Sequence, residues 1–322
     1  MIKLENVTKK YGTFEALKGI SFEVKEGEII GLLGPNGAGK STTMNIITGF
    51  IEQTSGTVKI GEYDTQKKPN KAKKLIGYMP EGVPLYNDLT VKEFVQYMAE
   101  LKSVPKKEIK ESVLKALEST GLSEVQNKLI RNLSRGYKQR VSLAGTLVSN
   151  PKVIILDEPT VGLDPKQVTE IRELIKKLGK DHTVILSSHI LSEVSQICNR
   201  VIIINKGEIV AIDKPENLEE KVRNKNLLYV TVEETEDKVL RMKEKINGIK
   251  EIKMLKTNDD GTKQYSIEAE QNVDIRKTIF SEFAKENITI FEMKKADTSL
   301  EEAFMKLIEK GNKKWEQYLK KN

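Results

Sequence analysis

The chain predicts an α/β fold with a largely parallel core sheet and an inserted helical subdomain, followed by a smaller α+β domain. Three observations predict this. Short apolar strands alternate with helical stretches over residues 1–216. A glycine-rich loop at 34–42 joins a buried strand to a helix. After residue 217 the pattern runs β-α-β-β-α-β, the order of a ferredoxin-like domain. The length of 322 residues is enough for about two domains.

The elements can be justified in order. Ile2–Val7 and Ile20–Val24 alternate apolar and polar residues and read as strands. Within Glu28–Leu33 the residues after Glu28 form a continuous apolar run, so this reads as a buried strand. It leads into the glycine loop, and Thr42–Thr48 reads as the helix beyond. Gly56–Ile60 is a further strand. Val91–Leu101, Lys107–Thr120 and Tyr137–Val148 have apolar residues at helical spacing with no strand between them, which predicts a helical subdomain over about 91–148. Val153–Leu156, Thr183–Ser187 and Val201–Asn205 return to short strands. Lys214-Pro215-Glu216-Asn217 marks a boundary, giving domains 1–216 and 217–322. The second contains strands Leu227–Val232, Ile249–Leu255, Gln264–Ala269 and Ile288–Met293. Its helices are Glu236–Ile246 and Val273–Lys285. A last helix starts at Thr298-Ser299-Leu300-Glu301, which has the form of a capping box. The tail from Lys306 carries six lysines against two glutamates and reads as a charged end or as a basic helix for contact.

Composition excludes several classes. Hydrophobic residues make up 38% and charged residues 31%, as in a globular protein. No apolar run approaches the ~18 residues of a membrane span, and the first residues carry no apolar signal region. The single cysteine, Cys198, fits a small buried hydrophobe in a reducing compartment, with a reactive thiol as the lesser alternative. The net charge of +7 is spread along the chain. No basic arm, aromatic RNA-binding signature or zinc spacing is present, so no nucleic-acid partner is expected. His182, between Asp181 and Thr183, reads as a surface residue.

Gly34-Pro35-Asn36-Gly37-Ala38-Gly39-Lys40-Ser41-Thr42 fits G-x-x-x-x-G-K-[ST] in the strand–loop–helix context that phosphate binding requires. Its glycines let backbone amides close on phosphate oxygens, and the helix N-terminus adds a favourable dipole. Lys40 is placed for the β- and γ-phosphates and the Ser41 hydroxyl for Mg²⁺. Val153-Ile154-Ile155-Leu156-Asp157-Glu158 is a buried strand ending in two carboxylates. Asp157 is suited to the Mg²⁺ shell and Glu158 to polarising an attacking water. A third segment, Leu133-Ser134-Arg135-Gly136-Tyr137-Lys138-Gln139-Arg140, precedes a helix. It can be another anion site or a plain N-cap.

Together these motifs resemble the nucleotide-binding subunit of an ATP-binding cassette (ABC) transporter, a phosphate-loop NTPase fold, over about residues 1–216. The resemblance implies an Mg²⁺-dependent ATPase in which two cassettes, as a homodimer or with a second cassette, sandwich two ATP molecules. It implies that Ser134 and Gly136 of one protomer complete the site at Gly34, Asn36, Gly37, Ala38, Gly39, Lys40, Ser41 and Thr42 of the other. Tyr11 matches the aromatic that stacks on adenine, Asp164 the loop that crosses the interface, and His189 the switch histidine at the γ-phosphate. Glu81 stands where the family usually has a glutamine reaching the metal and attacking water. Arg135 and Tyr137 also depart from the usual Leu-Ser-Gly-Gly-Gln signature. These departures, with Ser299–Phe304 near the C-terminus, resemble a subset of bacterial export subunits. The resemblance then implies a separate transmembrane permease, a peripheral place on the cytoplasmic face of the membrane, and transport of an unidentified cargo. Alternatives are a soluble ABC-type ATPase acting on ribosomes or DNA, and a kinase or GTPase on the same loop. For the GTPase alternative, Asn205-Lys206-Gly207-Glu208 is better read as a β-turn than as a guanine-reading motif.

Overall fold

The computed structural model describes residues 1–82, 85–222, 227–270 and 274–295. The capping box at Thr298, the Ser299–Phe304 stretch and the basic tail lie outside the described residues. The described chain forms two compact units that meet in sequence at Leu218 and Glu219.

The first unit opens with an antiparallel hairpin, β1 (Ile2–Tyr11) and β2 (Phe14–Val24). It continues through β3 (Ile29–Leu33), α1 (Lys40–Ile47), β4 (Ser55–Ile60), β5 (Tyr63–Asp64), α2 (Pro69–Lys74) and β6 (Ile76–Met79). The helical subdomain holds α3 (Val91–Leu101), α4 (Ile109–Ser119) and α5 (Arg135–Leu147). Then come β7 (Val153–Leu156), α6 (Pro165–Leu178), β8 (Thr183–Ser188), α7 (Leu191–Ser195), β9 (Arg200–Asn205) and β10 (Glu208–Asp213), and the division between the units falls within α8 (Pro215–Val222).

Two sheets form. The core sheet has the order β10-β9-β3-β8-β7-β6, and all its pairings are parallel except β9 with β10. Every residue of β3 and β7 is buried, so these strands are covered on both faces. This places the C-terminal ends of β3, β6, β7 and β8 along one edge. The expected strands at Ile2–Val7, Ile20–Val24 and Gly56–Ile60 do not join that sheet. They belong to a separate antiparallel sheet, β2-β1-β4-β5. The cause is local: Gly12, at φ 58°, folds β1 straight back on β2, and adjacent strands joined by a tight turn can only pair antiparallel. Both strands also run farther toward this turn than the apolar pattern indicates, to Tyr11 and from Phe14.

β6 and β10 carry too little signal to be read from sequence. β6 is four residues containing a glycine, and every residue of β10 is only half-buried. The turn at Lys206 and Gly207 has φ values of 49° and 78°, the two left-handed residues of a tight hairpin, and so confirms the β-turn reading. His182 lies in a bend at the surface, as expected, but is not fully exposed. It is half-buried, with Nδ1 2.7 Å from the Pro151 carbonyl oxygen, so the proton sits on Nδ1 because a carbonyl only accepts. Cys198 is buried near Gly31, and burial pushes its thiol above the ordinary range, which suits packing rather than reactivity.

The helical subdomain has its own core of Phe94, Val95, Val113, Leu117, Val141 and Ala144. Thr90 and Glu93 form a reciprocal cap at the start of α3.

The second unit contains β11 (Leu227–Val232), α9 (Glu236–Lys245), β12 (Ile249–Thr257), β13 (Lys263–Ala269), α10 (Arg276–Lys285) and β14 (Ile290–Lys295). Its antiparallel sheet has the order β12-β13-β11-β14. Val239 and Met242 of α9 and Ile279 and Phe283 of α10 pack with Val230, Tyr265 and Ile267 of the sheet. Both helices therefore share one sheet face.

Candidate nucleotide site

The phosphate-type loop sits at the end of β3. Gly34 is required by space: a Cβ there would lie 2.3 Å from the Ile204 carbonyl oxygen. Gly37 and Gly39 are required by conformation, with φ of 76° and 109°. Gly39 caps α1, and the Thr43 hydroxyl returns to its carbonyl at 2.8 Å. Lys40 is only 6% exposed. Its Nζ donates to the carbonyls of Gly34 (2.8 Å) and Pro35 (3.3 Å) and lies 3.7 Å from Glu158 Oε1. Ser41 is exposed at the start of the same helix.

The acid pair follows β7. Asp157 and Glu158 are 4% and 7% exposed. Asp157 donates its amide to the Met79 carbonyl of β6, and Ser187 Oγ donates to its Oδ1 at 2.5 Å, leaving Oδ2 for a further ligand. Burial, with the Asp157 charge second, pushes the nearby Tyr78 phenol up to about 12, so it stays protonated. Tyr78 in turn donates to Asn45 of α1 at 3.3 Å. Glu158 Oε2 is 3.0 Å from His189 Nδ1. One carboxylate thus touches both the loop lysine and the histidine after β8.

These groups open on a groove of about 380 Å³, within the size range of small-molecule sites. Tyr11, Asn36, Gly37, Ala38, Gly39, Lys40, Ser41, Thr42, Glu81, Glu158 and His189 line it. Gly34 and Asp157 are buried and are not part of its lining. Tyr11, on the groove lining, is 48% exposed, with Lys9 Nζ 5.0 Å from its ring centroid. Phe14, its partner across the hairpin turn, lines the groove too and was missed from sequence. Its signal was an aromatic residue directly across a glycine turn from Tyr11. Val161 was also missed.

Ser134, Gly136 and Asp164 do not line this groove. Ser134 caps α5, accepting the Tyr137 amide, and Asp164 caps α6, accepting the Gln167 amide at 2.9 Å. The two helix starts touch, because a Cβ on Gly136 would meet the Gln167 side chain at 2.9 Å. The Arg135 guanidinium fills the space over Gly162, where a Cβ would be 2.1 Å from its Cζ. Gln139 Nε2 donates to the Pro159 carbonyl (2.8 Å), and Arg140 pairs with Glu170 (2.8 Å). The structure therefore makes a second polar face from α5 and the turn before α6.

Among the described residues, no three His, Cys, Asp or Glu side chains are grouped so as to hold a metal ion unaided. The hydroxyl of Ser41 and the carboxylates of Asp157 and Glu81 are hard oxygen donors, which suit Mg²⁺ once phosphate oxygens join them.

Comparison with known proteins shows the family. The ABC transporter family profile matches residues 17–161. The linearmycin resistance ATP-binding protein LnrL of Bacillus subtilis (strain 168) is 39% identical over 233 residues, 72% of this chain and 75% of that protein. The bacitracin transport ATP-binding protein BcrA of Bacillus licheniformis is 33% identical over 313 residues, 97% of this chain and 98% of that protein. Among solved structures, the dimeric post-hydrolysis state of the ATP-binding cassette MJ0796 bound to ADP and Pi matches with a TM-score of 0.60 and 33% identity. That match covers 66% of this chain and 98% of that one.

Proposed function

The chain belongs to the ABC transporter family of ATP-binding proteins, and from that premise we propose that it hydrolyses ATP to drive transport through a separate permease subunit. The observation that carries the reading is the contact of Glu158 with both Lys40 and His189 at the mouth of the phosphate loop. Phosphoryl transfer needs positioning and charge neutralisation, and this groove provides both. The loop amides and Lys40 hold the β- and γ-phosphates. Tyr11, with Phe14 beside it, offers a flat face for the adenine. Glu158 accepts hydrogen bonds from the attacking water, and His189 orients Glu158 and the γ-phosphate.

Ser41, Asp157 and Glu81 are the residues that would hold Mg²⁺. When bound, the ion would neutralise phosphate charge and fix its geometry. Ser134, Gly136 and Asp164 lie off the groove, which supports their acting on the ATP of a second cassette. The element and strand order of the second unit supports a ferredoxin-like accessory domain.

No helix among the described residues is long and apolar enough to cross a membrane. A peripheral place on the cytoplasmic face, beside the permease, follows from this reading. The names of BcrA and LnrL favour export of an antibiotic-type cargo and give no support to action on ribosomes or DNA. Nucleotide titration of Lys40→Ala tests the reading. Binding is expected to be lost, and unchanged binding would contradict the loop assignment.

A further inference from the structure

Ser187 has no part in the assignment above, yet its hydroxyl joins both catalytic carboxylate residues. It is fully buried near the end of β8, a strand whose six residues are all buried. An apolar side chain would suit such a position better unless polar groups there need a partner. Two do. The ladder between β7 and β8 ends at Leu156 and Leu186, so it does not serve the next residues of the chain. Ser187 Oγ accepts the Glu158 amide at 2.8 Å and donates to Asp157 Oδ1 at 2.5 Å. A hydroxyl has one proton and two lone pairs, so both bonds form together and polarise each other.

Glu158 also sits at φ 47°, a left-handed conformation that a glutamate seldom adopts unless its surroundings hold it there. The amide that Ser187 binds belongs to this residue. The same conformation accompanies the placement of the Glu158 carboxylate between Lys40 and His189.

We infer that Ser187 is a positioning residue for the acid pair. Its accepted bond holds the left-handed backbone that presents Glu158, and its donated bond holds Asp157 in one orientation, so that Oδ2 is the oxygen that would take a cation. The inference rests on the reading that Asp157 and Glu158 serve ATP hydrolysis.

Threonine and valine at position 187 separate hydrogen bonding from packing, because they have nearly the same shape and only threonine keeps the hydroxyl. The full-length chain is assayed for steady-state ATP hydrolysis and, by electron paramagnetic resonance, for Mn²⁺ binding in the presence of ADP. Ser187→Thr is expected to stay close to wild type in both. Ser187→Val is expected to lose about 10–100-fold in kcat and in Mn²⁺ affinity, with the KM for ATP little changed, as removal of an orienting partner does. Ser187→Ala, which is smaller than serine, serves if valine is not accommodated and is expected to show the same losses. Equal behaviour of the threonine and valine variants, or an alanine variant with wild-type kcat and Mn²⁺ affinity, would overturn the inference. A wild-type chain that neither hydrolyses ATP nor binds nucleotide would instead overturn the ATPase reading beneath it.

Discussion

Replacing Lys102 by methionine should stabilise this protein near neutral pH and remove part of its pH dependence. Lys102 caps α3 in the helical subdomain, and its Nζ has the Thr146 carbonyl as acceptor at 3.3 Å. Burial lowers its pKa from 10.5 to about 8. At about 1.36 kcal/mol per pH unit, that fall corresponds to about 3 kcal/mol of disfavoured charge in the folded state. The folded chain gives up this proton more readily than the unfolded chain. Between about pH 8 and 10.5 the unfolded state therefore binds more protons, and stability rises with pH. Below pH 8 the whole cost is present. Methionine keeps the apolar stem, removes the charge and forfeits about 1 kcal/mol of hydrogen bonding to Thr146. The net expectation at pH 7 is a gain of about 1–2 kcal/mol, or roughly 2–4 °C in Tm per kcal/mol for a unit of this size. Denaturant unfolding of both proteins at pH 7 and pH 9.5 measures it, and the advantage of the variant should shrink at the higher pH. A variant less stable than wild type at pH 7, or an advantage equal at both pH values, would refute the reasoning.

Two further outcomes are expected. In Gly34→Ala the new Cβ meets the Ile204 carbonyl, so the loop must move. Overpacking should cost about 1–3 kcal/mol, and nucleotide affinity in a fluorescence titration should fall by about tenfold or more. Arg135→Gly empties the space over Gly162 without touching the groove, so phosphate release should change while nucleotide affinity stays within about twofold. If affinity falls as far as turnover, Arg135 acts at the groove itself.

Much of the site was legible because its chemistry constrains residue type at fixed spacing. The loop at 34–42 and the acid pair after Leu156 need particular side chains whatever surrounds them. The core strands were legible for a related reason, since burial on both faces leaves an unbroken apolar run. The antiparallel sheet at the N-terminus was not, because period-two strands do not encode their partners, and the deciding feature was a turn at Gly12. β6 and β10 are defined by the ladders beside them more than by their own residues. Ser187 escaped notice because one serine in a buried strand looks like noise until two polar groups are found on its hydroxyl. The partner of His182, the Pro151 carbonyl, was not legible because it is remote in sequence.

The central claim is that Glu158 activates water in an ATP site built from the loop at 34–42, and Glu158→Gln tests it most directly. The amide keeps the size of the carboxylate and loses its basicity. ATP binding should persist while the hydrolysis rate falls by about 10²–10⁴-fold, and the ATP-bound variant should run as a dimer in light scattering. Hydrolysis at the wild-type rate would contradict the claim.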